Sequence, residues 1–184
     1  MLSDIRVKSL EVFYTPCVAR TPLKFGAVVV ERLDFAKVRA VVENGRGEQA
    51  EGWGGIFMMD FWGWPDPNLS HPDKEAAMKE VLQGFCDLVL AYPQAAHPIA
   101  LFHDVEDDLR KLNLEVCARR NLTPAQPFLS ALVSASPVDA AIHDAFGNVN
   151  GIDTYDGYSA DFMSDDLSRW LGPDFVGRYP HDYV

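Results

Sequence analysis

The residues of this chain best suited to chemistry are five histidines, a large excess of acids and two isolated cations near the front. His103-Asp104 and His143-Asp144 each set an imidazole beside a carboxylate in sequence. Neighbours on a helix point about 100° apart, so neither pair makes a dyad by itself. Asp139 and His143, four apart, can meet on one helical turn and read as a helix-surface pair rather than a general base. His103, Glu106 and Asp107 share a face but match no metal-ligand spacing and read as a solvated flank. No nucleophile elbow and no Lys-x-Lys pair occurs. These patterns assign no catalytic residue and no metal ligand.

The cations are more informative. Tyr14 to Phe25 contains Arg20 and Lys24 and no acid, in a chain of formal charge −11. Such a stretch either draws a small anion or is simply solvated. A phosphate backbone is excluded as a partner, because it requires clustered Lys and Arg. The acid excess is concentrated at the back, where residues 150 to 184 hold seven aspartates against Arg169 and Arg178. The aromatic stretch 53 to 64 reads as a capping loop or buried anchor ahead of a carbohydrate or peptide platform.

The elements that position these residues follow from periodicity. Ile5 to Tyr14 reads as a strand with a bulge between Val7 and Leu10. Thr15 to Phe25 reads as a loop, and Ala27 to Glu43 as a second strand, interrupted around Arg32 to Asp34. Asn44-Gly45 predicts a tight type I′ turn into a third strand ending near Gly54. Residues 55 to 70 read as an ordered aromatic loop. Ser70, Pro72 and Asp73 mark a helix start, and Met78, Val81, Leu82, Phe85, Leu88, Val89 and Tyr92 give that helix one apolar face. A second helix opens near Pro98, with Phe102, Val105, Leu109, Leu112 and Val116 as its seam. A third is expected over 127–135. A fourth is expected with Ser136 as N-cap, Pro137 at its first position and Gly147 past its end. Beyond Asn150 an irregular aromatic tail is expected, with one short helix from Ser164 to Leu171.

The fold class is α+β: a three-stranded antiparallel meander followed by a helical bundle. No run approaches the roughly 18 apolar residues of a membrane helix. Asp4, Arg6 and Lys8 interrupt any apolar leader, so no secretory signal is expected. Cys17, Cys86 and Cys117 form no Cys-x-x-Cys pair and are expected as reduced thiols in a cytoplasmic protein.

Two distant stretches carry a resemblance. The hairpin ending in Gly52-Trp53-Gly54, and the helix Asp139-Ala140-Ala141-Ile142-His143-Asp144, resemble the N-terminal capping part of an enolase-superfamily enzyme of the mandelate racemase or muconate-lactonizing type. In that family an acid often follows the glycine stretch, whereas Gly55 follows it here. The resemblance implies a capping domain over residues 1–135 (meander 5–54, aromatic loop 55–70, helices 71–135). Residues 136–184 are then a helix and tail leading towards a barrel. A barrel of this kind takes roughly 250 residues, so its lysine or histidine acid-base groups are expected outside this chain.

The implied parent is a racemase, dehydratase or cycloisomerase, an isomerase or lyase acting on a small carboxylate by metal-assisted α-proton abstraction. Magnesium belongs to the complete enzyme, with no ligand in this chain, and the fragment alone is expected to be inactive. The implied partners are the substrate, the barrel or a companion chain, and further copies in a homo-oligomer, with no nucleic acid and no membrane. Two capping loops, Thr15 to Phe25 and Trp53 to Met58, would close over the substrate. Arg20 or Lys24 would meet its carboxylate or another polar group, and Phe25, Trp53 and Phe57 would form an apolar wall. The alternative function is a non-catalytic module that binds small anions or a protein and lacks a barrel.

Overall fold

In a computed structural model describing residues 1–25 and 28–183, three antiparallel strands lie in the order β1-β2-β3 against a layer of helices. The strands are β1 (Ile5–Phe25), β2 (Val28–Asn44) and β3 (Gln49–Phe57). The helices are α1 (His71–Leu90), α2 (Pro98–Arg119), α3 (Phe128–Asn150) and the short α4 (Ser168–Leu171). The α+β meander-then-helices class is therefore the one the periodicity indicates.

Alternation along β2 buries Ala36, Val38, Ala40 and Val42 on the helix side. On the other side it leaves Phe35, Lys37 and Arg39 half-buried or exposed. The helical layer answers with Met78, Val81, Leu82 and Phe85 of α1, Val105, Leu109 and Val116 of α2, and Ala141, Ile142 and Ala145 of α3. A fully buried side chain such as Leu109 contributes about 2 kcal/mol by leaving water.

Several local expectations are corrected. The stretch Thr15 to Phe25 is not a loop: β1 continues through it, pairing Thr15 with Phe35 and Phe25 with Val28. Pro16 and Pro22 are tolerated because β1 is an edge strand. β2 is unbroken at Arg32 to Asp34, which pair with Val18 and Pro16; the irregularity lies between Val18 and Leu23 on the partner strand. The expected bulge near Val7 is present as a register shift between Val7 and Ser9.

The turn after β2 is not a two-residue one at Asn44-Gly45. Asn44 remains in the strand and is buried, its Oδ1 accepting from the N–H groups of Arg46 and Glu48 at 3.0 and 3.1 Å. The left-handed position is Gly47, at φ +81°. The second capping loop is likewise strand, because β3 extends to Phe57.

Finally, the helices expected over 127–135 and 136–147 are one helix. Pro137 sits inside α3 and has no N–H for the carbonyl of Val133, but the Ser136 hydroxyl donates to that carbonyl at 2.8 Å. Ser136 is thus a repair within α3 rather than its N-cap. The helix ends at Gly151, φ +67°, not at Gly147. The 135/136 boundary falls inside this element. In the tail, α4 begins at Ser168 rather than Ser164, and Asp166 accepts from the Ser168 and Gly177 N–H groups at 2.9 and 2.6 Å.

Candidate functional site

The outer halves of β1 and β2 extend as an arm. Residues 58–70 fold back beside it, held by Trp64, which is 1% exposed and donates its backbone N–H to the Asp60 carbonyl at 2.6 Å. Between arm and segment lies a cavity of about 550 Å³. Val28, Val30 and Leu33 line it from β2, Phe61 and Leu69 from the folded-back segment. Phe25 lines it at the arm, with its ring centroid 4.9 Å from that of Phe61.

Charged side chains line this space too: Glu31 and Arg32 from β2, Asp66 from the folded-back segment, and the group Asp60, His71 and Lys74. Asp60, 5% exposed, takes His71 Nδ1 at 2.8 Å on one oxygen and Lys74 Nζ at 3.2 Å on the other. Burial pushes the Asp60 carboxyl up, but the His71 hydrogen bond and the two nearby cations outweigh it and hold the group below its ordinary range. The same bond raises His71. The network continues from His71 to Glu75 (3.6 Å), from Glu75 to Lys79 (2.9 Å), and from Lys79 to Asp34 at 2.5 Å. The first turns of α1 are in this way tied to β2. Both oxygens of Asp60 are engaged, so it is poorly placed to take a proton from a substrate.

Of the five residues expected to meet substrate, the structure brings only Phe25 into this cavity. Arg20 and Lys24 are exposed on the arm, with Lys24 opposite Val29. Trp53 pairs with Arg39 and Phe57 with Phe35, which places both on the face of the sheet turned away from the helices. There Trp53 stacks near Phe13 (6.1 Å) under the Lys37 ammonium (4.5 Å), and Phe57 meets Phe35 edge-on at 5.0 Å. Asp60, His71 and Lys74 had no sequence signal of their own, because Asp60 and His71 stand 11 positions apart across a loop.

The histidines form a second cluster. His97 caps α2: its Nδ1 accepts from Ile99 N–H at 3.2 Å while Nε2 faces the Gly157 carbonyl at 3.2 Å. That arrangement fixes a neutral ring, and burial, with the nearby His143, pushes His97 down to about 4. His143 Nδ1 meets the Tyr158 hydroxyl at 3.1 Å, and its Nε2 lies 3.6 Å from Asp139, beyond hydrogen-bond reach. Burial lowers His143 and raises Asp139. This corrects the helix-surface reading of the pair: the tail turn at Thr154–Tyr158 packs on it. His103 and Asp107 are exposed, and Glu106 pairs with Arg110 at 2.5 Å. Among the described residues no group of three His, Cys, Asp or Glu side chains is placed to hold a metal ion. Cys86 and Cys117 are buried free thiols, and Cys17 is a half-buried one. Among the described residues no helix is long and apolar enough to cross a membrane.

No protein-family model and no curated protein matches the sequence. Solved structures do match. An enolase from Bradyrhizobium, complexed with magnesium and mandelic acid, aligns with a TM-score of 0.50 at 13% identity, over 85% of this chain and 35% of that one. A dipeptide epimerase from Enterococcus faecalis, with magnesium and L-Leu-L-Tyr, aligns at 0.45 and 15% identity, over 84% and 35%. The L-Ala-D/L-Glu epimerase of Bacillus subtilis aligns at 0.46 and 18%, over 83% and 35%. The chain spans about a third of the length of each of these structures. At these identities the likeness establishes fold alone: the chain shares the α+β architecture of the part of the Bradyrhizobium structure that it covers.

Proposed function

We propose that this chain is the substrate-capping portion of an enolase-superfamily enzyme that abstracts the α-proton of a small carboxylate with metal assistance. The observation that carries this reading is the pairing of a capping-type fold with a cavity whose inner charged groups, Asp60, His71 and Lys74, are already engaged with one another. Such a compartment encloses a substrate and excludes water but moves no proton by itself. Arg20 and Lys24, exposed in the acid-free stretch Tyr14 to Phe25, would meet the carboxylate, and Phe25 would form part of the apolar wall.

Magnesium, implied for the complete enzyme, does not fit the described residues. They offer no ligand cluster, and Asp60 is neutralised by His71 and Lys74. The metal ligands and the acid-base groups would therefore be supplied by other polypeptide, in the same chain or a companion. The test is deuterium exchange at the α-carbon of a panel of 2-hydroxy and 2-amino carboxylates. Residues 1–184 with magnesium are expected to give none, and exchange is expected once a barrel-bearing polypeptide is joined or added. Exchange by residues 1–184 alone would overturn the reading.

A second reading, a protein-interaction module, is favoured by the outer sheet face, where Phe13, Trp53 and Phe57 are 39–45% exposed. It predicts a stable partner lost on Trp53→Ser, with no proton exchange in any assembly.

A further inference from the structure

A second cavity, of about 300 Å³, opens where α2, α3 and α4 meet, and it shares no lining residue with the cavity beside the arm. Ile99 and Phe102 of α2 and Trp170 of α4 are its apolar walls. Glu106 of α2 and Asp139 and His143 of α3 bring acceptors to it. His103 stands beside Trp170, with ring centroids 6.2 Å apart. We propose that this cavity is a binding site for a small organic cation, a primary ammonium carried on a compact apolar or aromatic body.

Four features support it. First, the Asp139 carboxylate has no cation of its own. Its side chain is 39% exposed, it accepts no hydrogen bond among the described residues, and His143 Nε2 stays 3.6 Å away. His143 is no counter-ion, because burial favours its neutral form and its Nδ1 meets the Tyr158 hydroxyl at 3.1 Å. Burial also raises the Asp139 carboxyl, and an ammonium beside it would favour the charged form again. Second, the arginines around the cavity are already taken. Arg110 pairs with Glu106 at 2.5 Å and lies 3.5 Å over the Phe128 ring, while Arg169 is held by Asp104 and Asp165. An incoming ammonium has three protons, and Asp139, the second oxygen of Glu106 and His143 Nε2 are three acceptors for them. Third, Phe102 and Trp170 supply aromatic surface for the body of the ligand and for its charge. Fourth, the Trp170 wall is fixed in place, because Asp104, which holds Arg169, also accepts from the Tyr92 hydroxyl at 2.7 Å. The docked tail thus completes the cavity.

Other ligand classes fit less well. A carboxylate would face two acids with the His103 imidazole as its donor, since the Trp170 indole N–H is closed off from solvent. A divalent metal ion would need three converging ligands, and among the described residues no three His, Cys, Asp or Glu side chains provide them. The formal charge of −11 favours a cation over an anion throughout.

The experiment uses residues 1–184 and three probes built on one phenyl ring: benzylamine, benzyl alcohol and benzoate. Binding is followed by amide and indole chemical shifts. Benzylamine is expected to bind about tenfold or more tightly than benzyl alcohol, as a charge-assisted hydrogen bond warrants, and benzoate to bind weakest. The shifts are expected at Ile99, Phe102, His143 and the Trp170 indole. Asp139→Asn keeps the size of the side chain and removes its charge, and the amide spectrum of the variant reports its folding. There the preference for amine over alcohol is expected to fall to about twofold or less. Asp108→Asn removes the same charge from an exposed position of α2, paired with Lys111, and is expected to leave the preference unchanged. Equal binding of amine and alcohol by the native chain, tighter binding of benzoate, no binding at all, or shifts confined to other regions would each overturn the inference, and none of these readings depends on a variant. So would an amine preference that survives Asp139→Asn, or one that falls equally in Asp108→Asn.

Discussion

The backbone N–H of Trp53 donates to Oδ2 of Asp144 at 2.8 Å, across 91 residues of sequence. The two stretches that carry the family resemblance, Gly52-Trp53-Gly54 and the helix 139–144, are thus in direct contact. Both belong to one packed joint between β3 and α3. A Cβ on Gly52 would stand 2.1 Å from the Ala145 nitrogen, and one on Gly54 2.2 Å from the Pro137 carbonyl oxygen. The strand lies on the helix with no room for side chains between them.

That joint sets the first prediction. Gly52→Ala must displace helix backbone rather than a flexible side chain, so it is expected to cost about 3 kcal/mol or more, at the upper end for over-packing. Gly55→Ala meets chiefly the Phe35 ring on the opposite face, with the Ala36 carbonyl oxygen 3.3 Å away, and is expected to cost less. Urea midpoints of the two variants decide it, and equal midpoints would contradict the close-packed joint.

The repair at Pro137 sets the second. Ser136→Ala removes the hydroxyl that donates to the Val133 carbonyl at 2.8 Å and is expected to cost about 1 kcal/mol. In a Pro137→Ala background the backbone N–H is restored, and the same substitution should then cost nearly nothing. A thermal double-mutant cycle measures the difference. Additive effects would mean that the hydroxyl and the missing N–H do not share the Val133 acceptor.

These two sites also show what was legible in advance. The three strands, the α1 cap at Ser70 and the α2 start at Pro98 were readable because they depend on local period and capping chemistry. The continuity of α3 was not, since Pro137 is a strong boundary signal and only a hydroxyl one residue earlier cancels it. The arm was hidden by Pro16 and Pro22, which read as loop until β1 is known to be an edge strand. The cavity was hidden for another reason: Asp60, His71 and Lys74 converge only after the folded-back segment packs. The Phe25 side of that cavity was visible, but Trp53 and Phe57, equally aromatic, fall on the other face by the two-residue alternation of β3.

His97 sets the third prediction. Its folded value is near 4 against 6.5 for a free imidazole, so between those values the unfolded chain holds a proton that the folded chain lacks. Stability attributable to this group therefore falls as pH drops from 6.5 to 4, by about 3 kcal/mol, and levels off below. His97→Asn keeps an N-cap acceptor for the Ile99 N–H but does not titrate. Urea titrations at pH 7, 5 and 4 should show the variant losing less stability on acidification. His143, lowered in the same direction, adds to the decline, as do the carboxylates of Asp34 and Asp60, which their partners hold below the ordinary range. His71 acts in the opposite sense, because its raised value makes its contribution complete below pH 6.5 and lost at higher pH. Parallel pH profiles for the native chain and the Asn variant would contradict a neutral, capping His97.

Magnesium sets the fourth. A hard divalent cation requires several oxygen ligands around one point. Among the described residues no three His, Cys, Asp or Glu side chains converge to provide them, and Asp34, Asp60 and Asp166 are committed to Lys79, to His71 and Lys74, and to the N–H groups of Ser168 and Gly177. A site filled to about a hundred times its dissociation constant would add about 2.7 kcal/mol to stability, several degrees in melting temperature for a chain of this size. Residues 1–184 are therefore expected to melt within about 1 °C with or without millimolar magnesium, a shift far below what such a filled site would give. Calorimetry with and without a chelator makes the comparison. A chelator-reversible rise of several degrees would place metal ligands within this chain and return the chemistry to it.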